Sequence, residues 1–259
     1  MSISRRTFLA STSLIMAPAV ARGATVTRTE YPMQEPELVQ EMVIVSHSNV
    51  ARVKALVGRQ QTLAKASWDW GFGDWEAAVD AASHVGNREI AEFLLANGAR
   101  PTIFSAAMLG QLDAVKALVA ANPGIQRTKG PHSITLLQHA VNGGPRAQAV
   151  VEYLKSLGDA DEHVAQQPLS PEDVQKLSGI YTFGPSPSAR VDITAANGQL
   201  NFGRPGRFSR PLYYLGGYEF CPAGGENVRV RFTESAAGVT LTVHDPDVVL
   251  TATKAPAKS

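Results

Sequence analysis

Four short amphipathic stretches constrain this chain most: Arg52-Val53-Lys54-Ala55-Leu56-Val57, Ile90-Ala91-Glu92-Phe93-Leu94-Leu95, Ala114-Val115-Lys116-Ala117-Leu118-Val119 and Val150-Val151-Glu152-Tyr153-Leu154-Lys155. Each reads as one seam of a helix, polar outside and apolar inside. Their equivalent leucines, Leu56, Leu94, Leu118 and Leu154, are spaced by 38, 24 and 36 residues, so the unit recurs although its length varies. Four residues after the leucine, three copies carry Gly98, Asn122 and Gly158, residue types that tolerate the left-handed conformation closing a helix. Upstream, Gly86-Asn87-Arg88-Glu89 and Gly110-Gln111-Leu112-Asp113 supply tight turns. The alanine pairs Ala81-Ala82 and Ala106-Ala107 just before those turns let two helices approach closely.

These residues resemble the ankyrin repeat, whose second half reads Gly-His-x-x-Ile-Val-x-x-Leu-Leu-x-x-Gly-Ala-x-Pro. Here the corresponding stretch runs from Gly86-Asn87 through Ile90-Ala91 and Leu94-Leu95 to Gly98-Ala99-Arg100-Pro101. The family's Thr-Pro-Leu-His-x-Ala start is present only as Thr135-Leu136-Leu137-Gln138-His139-Ala140, and the 24-residue spacing implies a missing or shortened β-finger before Ser105. The resemblance covers residues 36–163 and implies an α-solenoid of about four irregular repeats that acts by contact.

Composition changes after a linker with a short helix at residues 164–177. Alternating runs follow at 179–183, 190–194, 200–202, 212–215, 218–221, 228–232, 239–243 and 248–253, separated by turn signals such as Asn197-Gly198, Gly216-Gly217 and Gly224-Gly225. About eight short strands over residues 178–254 predict an antiparallel meander or small barrel, with a tail at 255–259. The pattern Leu177-Ser178-Gly179-Ile180-Tyr181, Asn197-Gly198-Gln199-Leu200 and Tyr218-Glu219-Phe220 resembles the small β domain appended to some serine hydrolases of the penicillin-binding and β-lactamase type. The fold class expected is therefore multidomain α plus β.

The first 21 residues read as an address. Arg5 and Arg6 stand before Phe8 and Leu9, an uncharged run extends from Phe8 to Val20, and Ala19-Val20-Ala21 has the small-x-small form of a cleavage site. Ser4-Arg5-Arg6-Thr7-Phe8-Leu9 resembles the twin-arginine (Tat) signal, with Ala10 where a lysine is usual; an ordinary Sec signal is the other reading. The run is 13 residues, against about 20 for a spanning helix, so no integral membrane segment is expected after cleavage. Residues 22–35 would follow as an extended segment in a periplasmic or secreted protein. Cleavage leaves 22 basic residues against 23 acidic ones, which offers no field for nucleic acid or an anionic membrane. Cys221 is the only cysteine, so an intrachain disulfide and a multi-cysteine zinc site are both excluded.

Chemistry is sparse at the level of motifs. Ser-x-x-Lys, Gly-x-Ser-x-Gly, His-Glu-x-x-His, Cys-x-x-Cys and a Walker loop are all missing, so no catalytic residue, metal or cofactor is assigned. Asp159, Asp161, Glu162 and His163 read as a solvated loop, and His244, Asp245 and Asp247 as a turn. His84, His132 and His139 fall near turns and helix starts and read as structural. All three tryptophans crowd into Trp68-Asp69-Trp70-Gly71-Phe72-Gly73-Asp74-Trp75, so Trp68, Trp70, Phe72 and Trp75 are either core or a protein-recognition finger. The function expected is that of an exported, non-catalytic interaction protein for an unidentified periplasmic partner. The alternative is a small-ligand binder or atypical hydrolase, using the β domain (Tyr181, Arg204, His244) or the cleft between the domains.

Overall fold

Side-chain caps mark where several of the helices begin. Asn49, Asn87, Thr102 and Thr135 each accept a hydrogen bond from the backbone N–H three residues on, and Thr102 with Ser105 closes a reciprocal capping box. The computed structural model describes residues 33–246 and 248–256. The expected signal peptide, with Arg5, Arg6, Phe8, Leu9, Ala19 and Ala21, lies outside the described residues.

Among the described residues, eight helices form the first half: α1 (Pro36–Val45), α2 (Val50–Arg59), α3 (Ala78–His84), α4 (Arg88–Ala96), α5 (Ile103–Leu109), α6 (Leu112–Ala121), α7 (Leu136–Asn142) and α8 (Gln148–Leu157). Each odd-numbered helix packs on the next odd-numbered one, forming an inner row, and the even-numbered helices back it. Apolar spacing fills the seam between the rows: Val53, Leu56, Ile90, Leu94, Val115, Leu136, Val150 and Leu154 are buried. Gly110 ends α5 in the left-handed conformation, at φ 75°, and a Cβ there would collide with the carbonyl of Arg146 in the next helix pair. The only strands in this region are β1 (Ser67–Asp69) and β2 (Trp75–Ala77), a hairpin between α2 and α3 that pairs Trp68 with Glu76.

A last helix, α9 (Pro171–Leu177), leads into β3 (Gly179–Thr182), β4 (Arg190–Ala196), β5 (Gln199–Gly203), β6 (Arg210–Gly216), β7 (Glu219–Pro222), β8 (Arg229–Ser235), β9 (Gly238–Asp245) and β10 (Val248–Lys254). Each strand pairs antiparallel with its neighbour, and β10 returns to β3 through Thr253 opposite Thr182, closing an eight-stranded barrel. Alternation places Tyr181, Val191, Ile193, Phe202, Leu212, Phe220, Val230, Phe232 and Leu241 inside, with Val174 and Leu177 of α9 packed against them. The interior is therefore a core, and closure removes the sheet edges.

From Glu35 onward the chain is one compact unit, and the hairpin is what ties its two halves. Trp68 and Trp70 pack on the helical core, whereas Phe72 at the tip packs on the barrel core, 5.4 Å from Phe202 between ring centroids. Arg210 of β6, buried, donates to the carbonyls of Ala223 and Trp70 and lies over the Phe72 ring. No helix among the described residues is long and apolar enough to cross a membrane.

Phe220 is fully buried at the centre of the barrel. Phe220→Ala is expected to cost about 3–5 kcal/mol of stability, read by urea denaturation, while Val249→Ala on the exposed outer face of β10 stays within about 0.5 kcal/mol.

Candidate metal centre

Four side chains from four different elements converge at the hairpin's base. His47 sits in the turn after α1, Glu76 in the middle of β2, His84 at the last residue of α3, and His132 in the single 3₁₀ turn Pro131–Ser133 before α7. One donor atom from each lies within 4.8 Å of the other three. His84 Nε2 stands 2.9 Å from Glu76 Oε1 and 3.1 Å from His47 Nε2. Glu76 Oε1 is 3.6 Å from His47 Nε2 and 3.5 Å from His132 Nε2. A tetrahedral ion with bonds of about 2.05 Å sets its ligands about 3.3 Å apart, so these four separations are close to those of donors around one small cation.

The groups behind the donors orient them. His47 Nδ1–H donates to the Ile44 carbonyl at 2.9 Å and His132 Nδ1–H to Asp74 Oδ2 at 2.8 Å, which leaves each Nε2 turned to the cluster. Trp70 Nε1–H donates to Glu76 Oε2 at 2.8 Å, leaving Oε1 for the centre. Asp74 is itself held: it accepts the backbone N–H of His132 at 2.9 Å, and Arg210 lies 3.4 Å away. Gly224, at φ 78°, passes so close that a Cβ there would strike the Asp74 carboxylate. His132 and Ser133 both adopt positive φ, near 60°, a conformation that costs energy for these residue types and that the Asp74 contacts help to hold.

Electrostatics make the same demand for positive charge. Burial opposes a charge on Glu76, yet hydrogen bonds from His132 and His84 and the charges of His132 and His47 outweigh it and hold its carboxyl at about 2. Burial likewise opposes a charge on His132, but Asp74 and Glu76 together raise it to about 9. Without an ion, protonated His132 faces both carboxylates and Arg210 also faces Asp74; a metal at the centre would take the place of the proton on His132 Nε2. Side-chain exposure rises from 0% at Glu76 through 10% at His84 and 18% at His132 to 28% at His47, so the cluster opens on one side. That side meets a cavity of about 310 Å³ lined by Gln40, Ile44, His47, Trp70 and His132 from the helical half and by Gly206, Arg207 and Phe208 from the barrel.

The residues singled out in the sequence are placed differently. Trp75 is exposed, Trp68 and Trp70 are partly buried against the helical core, and Phe72 joins the barrel core. Tyr181 points into the barrel and donates to the Leu177 carbonyl. Arg204 lines a second cavity between hairpin and barrel, and His244 stands in the ladder opposite Arg229 and Val249. Tyr181, Arg204 and His244 thus occupy three separate places. Asp159 is taken up by Gln126 and Arg127, and Asp161 by Thr135. His84 and His132, read as structural from the sequence, are joined by His47 and Glu76, which no motif marked. Comparison with known proteins adds no relative: no family model matches the chain, and no curated protein matches it.

Behind the centre, fully buried His139 donates from Nδ1 to the Thr135 carbonyl, and burial pushes it down to about 4. Its folded value lies below the ordinary 6.5, so its contribution to stability is complete above pH 6.5 and is lost as pH falls towards 4, by up to about 3 kcal/mol. Urea unfolding between pH 7 and pH 4 is expected to show this slope in the native protein and a flatter one in His139→Leu.

Proposed function

We propose that this chain is a metal-dependent small-molecule-binding protein, with one first-row transition-metal ion of the zinc class held by His47, Glu76, His84 and His132. The observation that carries this reading is the convergence of those donors, all within 4.8 Å and four of the six pairs at 2.9 to 3.6 Å, with other atoms of His47, His132 and Glu76 already committed to Ile44, Asp74 and Trp70. Imidazole with one carboxylate suits zinc, iron, nickel or copper better than calcium or magnesium, which take oxygen. The opening beside His47 and His132 favours an ion that exchanges a further ligand over a closed structural site. Of the two sites considered for a ligand, the inter-domain cleft is favoured over the barrel, whose interior is mostly filled by its own side chains.

In this proposal the helical half is an irregular ankyrin-type stack and the protein reaches the periplasm, or beyond, through the Tat pathway. A folded, metal-loaded chain is a suitable cargo for that route. The second reading, docking of a periplasmic protein partner on the helical stack, is favoured by one observation: Trp75 is 64% exposed on the hairpin.

Metal analysis of the purified protein is expected to give one ion per chain, and His84→Ala or His132→Ala to lower affinity by at least about a hundredfold. Saturating metal should raise Tm, since about a thousandfold excess over Kd adds about 4 kcal/mol. No stoichiometric metal under any loading condition would sink the reading. For the second reading, any periplasmic protein retained by the native chain should be lost on Trp75→Ala with unchanged circular dichroism.

A further inference from the structure

Resting on the metal reading above, we infer that the adjoining cavity takes a small anionic molecule with an apolar body, of the aryl carboxylate class. Its walls divide by chemistry. Ile44 and Phe208 are 49% and 52% exposed, two of the few large apolar side chains left facing solvent, and both line this cavity together with the Trp70 ring. Exposed apolar groups gathered round one hollow provide a binding surface for an apolar body.

The polar part of the wall is electropositive. Glu76 offsets one unit of a divalent ion's charge, and Asp74, although buried beside His132, is offset by buried Arg210. Arg207 adds a further positive charge on the rim, and among the described residues its guanidinium has no carboxylate partner. The nearest competing acid in the neighbouring cavity, Asp69, accepts the backbone N–H of Gly71 and forms no ion pair with Arg207. Gln40, also on the wall, has no side-chain hydrogen-bond partner among the described residues and can donate its amide N–H. A hollow with a metal at one side, an unpaired arginine on its rim and apolar faces between selects an anion over its neutral isostere. Size sets the scale: a cavity of about 150 Å³ holds benzene, so 310 Å³ accommodates one ring with a carboxylate and a further substituent.

The test uses the full chain loaded with Co(II), whose visible bands report the metal's ligands, titrated with benzoate and with neutral benzamide. Benzoate is expected to shift the bands saturably and benzamide to bind at least about tenfold more weakly; Arg207→Gln should weaken benzoate by about tenfold, and Phe208→Ala should weaken it as well. Equal binding of benzoate and benzamide, or an intact cobalt spectrum that benzoate does not change, overturns the ligand assignment and leaves the metal centre standing. Failure of the native chain to develop cobalt bands at all defeats the metal reading, and this inference with it.

Discussion

The buried carboxylate of Asp74 is the interaction on which the rest of the molecule depends. It lies in the hairpin, yet it accepts two hydrogen bonds from His132, beyond four intervening helices, and is paired with Arg210 on the barrel. One side chain therefore joins the finger, the far end of the helical stack and the β domain. Burying it is costly unless every lone pair is answered, and here backbone N–H, imidazole and guanidinium answer it. Ser133 extends the same joint by donating to Glu226 and accepting from the N–H of Gly224, so the barrel loop at 222–226 is pinned to the turn that carries His132.

That joint explains why the tryptophan-rich finger is where it is. Trp68, Trp70 and Phe72 fill the seam between two cores, and Trp70 additionally orients Glu76, so aromatic area and the geometry of the candidate site share the same residues. These three pack against the two cores, and Trp75 alone among the tryptophans is exposed.

Among the described residues the barrel interior is mostly filled, with one hollow of about 370 Å³ beside Leu169, Leu200, Leu212 and Phe220. Eight strands enclose this space, and Tyr181, Phe220 and Phe232 stack edge to face across it. Outside the barrel, the β5–β6 loop carrying Arg207 and Phe208 reaches over the helical half and lines the cavity at the candidate site. A ligand there would contact both halves, which is the usual advantage of a site placed at a junction.

Local chemistry was legible in the sequence. Period-2 alternation and Asn-Gly or Gly-Gly turns located all eight barrel strands, because side-chain direction and turn geometry are properties of a few adjacent residues. The structure adds the caps Asn49, Asn87, Thr102 and Thr135, which are equally local although the sequence reading does not mark them as helix starts. The candidate site was not legible, since His47, Glu76, His84 and His132 are separated by 29, 8 and 48 residues and share no motif. His84 and His132 carried a faint signal as histidines beside turns; Glu76 carried none, because a glutamate in a three-residue strand reads as solvent-facing until a neighbouring helix covers it. Sequence alone marked the helix seams and the eight barrel strands, but not the hairpin of β1 and β2. Stacking of the helices and closure of the barrel decided which side chains meet, because convergence depends on distances between elements that no local pattern encodes.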